Sequence, residues 1–401
     1  MLLFTSPRNR GTAPAPLYAA LVAALVLSGC ASEGATTDHS HSAQAAPAKV
    51  TIEPGAHTGL NPAAPITVKV ADGTLTDVVV TNAQKGNPVK GQLSPDKKTW
   101  RSTEPLGYSS TYTVLAHAAN SQGKPVEQRT DLSTVDPQDT FEANLIPAPD
   151  SVRDGGIGVA QPIVFQFTKP VKDKAAIERQ LEIHSTPNQP GSWHWIDDEN
   201  VHYRPKDYWK PGTTIHVKAK VYGADLGGGV LGGSDTEATY KVHDSMVARA
   251  DGNTMQMQVF RNGAPIKTMP ISMGKDVTPT HTGTHVVIEK NPQMVMDSCT
   301  YGVCPGDPNY YRSPERWSVR ISNDGEFVHE NPASVSNQGN SNVSHGCINL
   351  NGENAQWFFE NFGLGDPVEV VNSGGPPLPV WDLYGDWSLN WEQWQQGSAL
   401  K

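Results

Sequence analysis

A cysteine and a histidine able to act together in nucleophilic chemistry stand close to one another late in the sequence. Phe327-Val328-His329 is followed, after fourteen intervening residues, by Ser344-His345-Gly346-Cys347-Ile348-Asn349. A thiolate is a strong nucleophile, but only about a few per cent of a free thiol is ionised near pH 7, so Cys347 needs a partner base. His329 can supply one, with His345 as a second histidine beside the thiol. Gly346 lets the backbone turn tightly before the nucleophile and lets a substrate carbonyl approach the N–H groups of Gly346 and Cys347, the candidate oxyanion donors. Base then nucleophile, separated in sequence but adjacent in space, is the layout of a Cys-His acyl-transfer enzyme. The rival chemistry is a zinc site built from His329, His345 and Cys347, since three ligands with an open position suit catalytic zinc. No Cys-x-x-Cys or His-Glu-x-x-His accompanies them, so neither metal nor cofactor is expected.

The elements that must position this pair are mostly strands. Met255, Met257 and Val259 alternate with glutamines, turn at Arg261-Asn262-Gly263 and return over Ile266 to Ile271, a hairpin pattern. Further strands are expected at Thr284 to Ile288, Trp317 to Ile321, Gly325 to His329 and Val368 to Val371. One helix is expected from Asn354 to Phe362, with Ala355, Phe358, Phe359 and Phe362 at helical spacing and a stop at Gly363. Upstream the period is two: Ile66, Val68 and Val70 alternate with polar residues, turn at Asp72-Gly73 and give way to Val78 to Val80. A weak repeat relates Leu106, Tyr108, Thr111 to Val114 and Ala116 to Tyr208-Trp209, Pro211 to Val217 and Ala219, about 103 positions later, the size of one immunoglobulin-like sandwich. The expected fold class is therefore mainly β. Two tandem sandwiches, near 49–137 and 138–243, precede a catalytic unit at 244–371 and a Trp-rich extension at 372–401 that is too apolar to float free. Asp225 sits before Gly227-Gly228-Gly229, but one carboxylate is too few ligands for calcium.

Composition narrows the function. Gly 37 and Pro 32 in 401 residues, with only 18% charged, favour short strands and many turns, and the length suggests two or three domains. A formal charge of -10 repels phosphate backbones and anionic headgroups, which argues against nucleic-acid binding. Arg8 and Arg10 precede an apolar run from Leu17 to Leu27, too short to span a bilayer and shaped like a signal-peptide core. The run ends Leu27-Ser28-Gly29-Cys30-Ala31, which resembles a bacterial lipobox. Cys30 is thus the expected lipidation site at the end of a 1–30 signal segment, and 31–48 a polar tether outside the cytoplasm. In that compartment Cys299, Cys304 and Cys347 permit three single bridges. Pairing Cys299 with Cys304 spares the nucleophile; the alternative is two free thiols.

The Ser344–Asn349 motif with His329 upstream resembles the signature of the L,D-transpeptidases with a YkuD-type catalytic domain. Met296-Asp297-Ser298, Thr300 to Val303, Asn354 to Phe358 and Gly385-Asp386-Trp387 are similar to the mycobacterial and actinobacterial branch, which carries two immunoglobulin-like domains ahead of the catalytic one. The resemblance implies that Cys347 attacks the bond before the terminal D-Ala of a tetrapeptide stem and passes the acyl group to a diaminopimelate amine on a second stem, a 3→3 cross-link in peptidoglycan. It implies further that His329 is the base, that the Glu330 carbonyl rather than a carboxylate orients it, and that His345 shapes the turn. Asn349, Tyr311 and Asp324-Gly325 would contact substrate, Tyr301 and Tyr311 would lie in a lid, and carbapenems would be covalent inhibitors. Glu330 and Ala333 depart from the family, replacing a small polar residue and a large aromatic, and the Cys299–Cys304 pair would be a local addition. Transfer to water, as an L,D-carboxypeptidase, and a non-catalytic wall-binding lipoprotein are the alternative readings.

Overall fold

The computed structural model describes residues 45–152, 156–308 and 310–400. Cys30, the leader and most of the tether lie outside the described residues. The chain is mainly β, as its alternating patterns require, and its apolar side chains gather into separate cores.

The first core joins a four-stranded sheet, in the order Lys49–Glu53, Thr67–Ala71, Thr99–Ser102, Gly91–Leu93, to a three-stranded sheet of Gly73–Asn82, Thr111–Asn120 and Pro125–Ser133. Ile66, Val68, Val80, Trp100, Tyr112 and Val114 fill the space between them. The second core repeats the arrangement. Gly191–Trp195, Asn200–Pro205, Ile163–Phe167 and Ala143–Ile146 form one sheet, and Leu181–Thr186, Thr214–Ala219 and Thr236–Lys241 the other. Thr111–Asn120 and Thr214–Ala219, the strands that carry the repeat, are each the central strand of a three-stranded sheet. In the glycine loop the Asp225 carboxylate accepts from Gly227 N at 2.7 Å, closing its own turn.

The third core belongs to the unit that holds the cysteine motif. A five-stranded sheet runs Ala264–Pro270, Gln256–Arg261, Met246–Asp251, Pro367–Val371, Gly283–Val286, and a four-stranded sheet runs Glu289–Asp297, Arg312–Arg320, Phe327–Glu330, Ile348–Leu350. The helix covers Gly352–Asn361, two residues earlier than its apolar spacing predicts, because the Asn351 side chain caps it by accepting from Asn354 N at 2.9 Å. Its Ala355 and Phe358 are buried against Val319, Val328, Ile348 and Leu350.

The C-terminal extension is bound to the second sandwich by tryptophans. Trp394 is fully buried, donates from Nε1 to Ser192 O at 2.9 Å and stacks on His194. The Arg204 guanidinium lies 4.5 Å and 4.6 Å from the Trp387 and Trp394 ring centres, where burial lowers its pKa to about 10 against the pull of Asp386. Glu178, also buried, accepts from Trp195 Nε1, Ser398 Oγ and Ala399 N and so holds the end of the chain.

Candidate active site

His329 and Cys347 meet because their strands are parallel neighbours. Phe327–Glu330 pairs with Ile348–Leu350 in the register Val328↔Ile348, His329↔Asn349, which brings Cys347, one residue before Ile348, level with Phe327 and onto the face that carries His329 two residues on. Parallel pairing also puts His329 and Asn349 on one face. Both are buried, Cys347 lies close enough to His329 to raise the histidine's pKa, and the Cys347 thiol donates to Gly325 O at 3.8 Å.

The turn that presents the thiol is clamped from several sides. Gly346 has φ +130°, a conformation L side chains rarely adopt. Its carbonyl accepts from the buried Thr280 hydroxyl at 2.7 Å, while Ser344 Oγ donates to Cys347 O at 2.6 Å. The Gly346 N–H, expected as an oxyanion donor, donates instead to Ser344 Oγ at 3.1 Å. A hydroxyl two residues back folds onto its own backbone in this way. Of the two expected oxyanion donors, the Cys347 N–H is the one that remains.

His329 Nδ1 lies 2.8 Å from Glu330 O, the carbonyl expected to orient it. The expectation of a carbonyl without a carboxylate needs correction, because Glu315 Oε2 is 3.3 Å from the same nitrogen. Burial disfavours the charged imidazole, but hydrogen bonds to Cys347 and Glu315 outweigh it and hold the His329 pKa well above its ordinary value. Burial opposes the charge of Glu315 too, and the hydrogen bonds of His329 and Ser313 prevail, keeping it ionised.

The remaining expected residues are distributed around this pair. His345 is exposed, its Nε2 lies 3.2 Å from Lys275 Nζ, and its ring stacks on Tyr311 with centroids 5.2 Å apart. Burial and then Lys275 push its pKa down, so it is a poor cation beside the site. Asn349 is buried with neither side-chain polar atom hydrogen-bonded, although its backbone pairs with Ser272. Tyr301 ends the turn Ser298–Tyr301, and its side chain lies outside the described residues. Cys299 and Cys304 are disulfide-bonded, and among the described residues Cys347 is the free cysteine. Among the described residues no group of three or more His, Cys, Asp or Glu side chains could hold a metal ion.

Three supports escape the motif. Asp382, buried in the C-terminal extension, accepts from Ser322 Oγ, Asn323 N and Asp324 N and so fixes the Asp324-Gly325 turn whose carbonyl faces Cys347. Glu326, beneath Gly346, accepts from His281 N at 2.9 Å and lies against His281 and His285. Thr280 is the third. None has a local sequence signal, since each reaches the site from another strand or loop.

Comparison with known proteins places this geometry. Residues 245–370 match the family model of the L,D-transpeptidase catalytic domain, and residues 57–225 match that of a bacterial Ig domain. L,D-transpeptidase 2 of Mycobacterium tuberculosis is 40% identical over 341 residues, covering 85% of this chain and 82% of the relative. The chain belongs to the L,D-transpeptidases. L,D-transpeptidase 5 of Mycobacterium tuberculosis is 39% identical, covering 84% of this chain and 74% of that one. Among solved structures, the LD transpeptidase LdtMt1 in complex with imipenem superposes with a TM-score of 0.51 at 34% identity, over 59% of this chain and 100% of that one. The resemblance read from Ser344–Asn349 and the mainly β fold class are both borne out. The family model of the Ig domain runs through both sandwich cores without marking the boundary between them.

Proposed function

We propose that this L,D-transpeptidase family member forms 3→3 cross-links in peptidoglycan through an acyl-enzyme on Cys347. The carrying observation is the buried His329–Cys347 pair beside an unpartnered Asn349 amide. Cys347 Sγ attacks the carbonyl of the third stem residue while His329 takes the thiol proton. The developing oxyanion faces the Cys347 N–H. The C–N bond then breaks, His329 returns the proton to the departing D-Ala amine, and a thioester remains. A diaminopimelate amine from a second stem attacks the thioester, loses a proton to His329, and the thiol is restored. Tyr311 and the Asp324-Gly325 turn border the stem, and Tyr301 belongs to the segment over it.

Two further readings belong to the same proposal. Cys30 carries lipid that holds the protein on the outer face of the cytoplasmic membrane, with the sandwiches as spacers. A β-lactam carbonyl offers Cys347 the same attack, and the imipenem complex of the relative LdtMt1 supports carbapenems as covalent ligands here. The mature protein incubated with tetrapeptide-containing muropeptides tests the reading by product mass. Cross-linked dimers support it, tripeptides alone indicate a carboxypeptidase, and unchanged substrate contradicts both.

A further inference from the structure

We propose that Glu315 is a positioning residue for His329, its carboxylate completing a cysteine–histidine–carboxylate relay that the backbone carbonyl of Glu330 alone does not provide. The proposal rests on the His329–Cys347 reading above and adds a residue that no motif marks.

One nitrogen of His329 has two acceptors. Nδ1 carries a single proton, and Glu330 O at 2.8 Å and Glu315 Oε2 at 3.3 Å both lie in its range. The carbonyl is a neutral dipole that fixes the ring and its tautomer. The carboxylate adds a full negative charge, which strengthens its attraction once Nε2 has taken the thiol proton and the ring is positive. The placement is specific. On Arg312–Arg320, Ser313, Glu315 and Trp317 are half-buried, while Arg312, Pro314 and Arg316 between them are exposed. A carboxylate on the sheltered face is costly unless a partner answers it. Arg316 does not; it reaches toward Glu330 Oε2 at 3.7 Å. The partners of Glu315 are His329 and Ser313.

The groups facing His329 are therefore Glu315 from the neighbouring strand and Cys347 from the turn on its other side. The Glu330 carboxylate lies toward Arg316 and Gly352, and Lys275 lies by His345. With burial working against the imidazolium, the carboxylate makes proton transfer from the thiol favourable and keeps that proton on Nε2 until the leaving amine needs it.

Glu315→Gln is the test, because the amide keeps an acceptor oxygen and the side-chain shape and removes only the charge. In kcat/KM against pH, the alkaline limb, where His329 loses its proton, moves down by about one to three units, the range an adjacent opposite charge produces. Activity above the limb falls about tenfold for each unit moved. An unmoved limb in a folded variant overturns the proposal. A readout that needs no turnover separates this failure from failure of the transpeptidase reading. In 15N-histidine-labelled Cys347→Ala protein, adding Glu315→Gln lowers the His329 pKa by at least about one unit, and an unchanged value contradicts the role. Should the Gln variants not fold, wild-type protein with 13C-labelled glutamate decides. The Glu315 carboxyl carbon shows a second inflection at the pKa of His329, as coupled sites must, and its absence counts against the relay.

Discussion

Gly346→Ala isolates what the turn before Cys347 demands. The residue has φ +130°, and an ideal Cβ there would lie 3.5 Å from Cγ and Oε1 of Glu326, an ordinary contact. Space is available, so the cost is backbone strain alone, about 1–3 kcal/mol for a non-glycine residue held in such a region. That strain appears in one of two measurements. If Thr280 and Ser344 hold the turn in place, the catalytic unit loses about 1–3 kcal/mol of stability and acylation is unchanged. If the turn relaxes, Cys347 shifts against His329 and stability is spared, while acylation slows by about 5- to 150-fold, the same energy in the barrier. Calorimetry of the catalytic unit's transition and the rate of carbapenem acylation by intact mass, measured on one preparation, give both quantities. Their combined loss falls within about 1–3 kcal/mol. A variant unaltered in both would refute the claim that this turn requires glycine.

Two other outcomes concern the framework. Trp394→Ala removes a fully buried indole with its bond to Ser192 O and its stacking on His194, so the second sandwich should lose about 3–5 kcal/mol, read from the shift of its calorimetric transition; no shift would mean that the extension does not brace that sandwich. Burial raises the Asp366 pKa well above 3.8 despite the Gly363 N–H it accepts. The folded protein thus keeps a proton that the unfolded chain releases, and stability falls as pH rises from about 3.8 towards the folded value. Asp366→Asn has no proton to lose, so Tm against pH should flatten over that window and lie above wild type at its upper end; an unchanged slope would show that Asp366 is not held protonated.

How much was legible follows from where each signal sits in the chain. The meeting of Cys347 with His329 was readable because a thiol presented on a strained turn needs Gly346 beside it, and because the strand Phe327–Glu330 carries His329 near its end. The sheets were readable from their period of two, and the helix from Phe358 and its neighbours, although its start was not, since Asn351 sets it from outside the apolar pattern. Glu315, Thr280, Glu326 and Asp382 were not readable. Each acts through a contact made between distant segments, and a lone carboxylate or hydroxyl in a polar stretch is indistinguishable from a solvated one. The use of the Gly346 N–H by Ser344 was likewise a matter of side-chain geometry.

The central claim, a covalent acyl-enzyme on Cys347 formed with His329 as base, is tested most directly by intact-protein mass spectrometry after exposure to a carbapenem. The account predicts one added inhibitor mass on wild-type protein, none on Cys347→Ala, and a much slower gain on His329→Ala. An adduct of equal extent on Cys347→Ala would contradict it and place the nucleophile elsewhere.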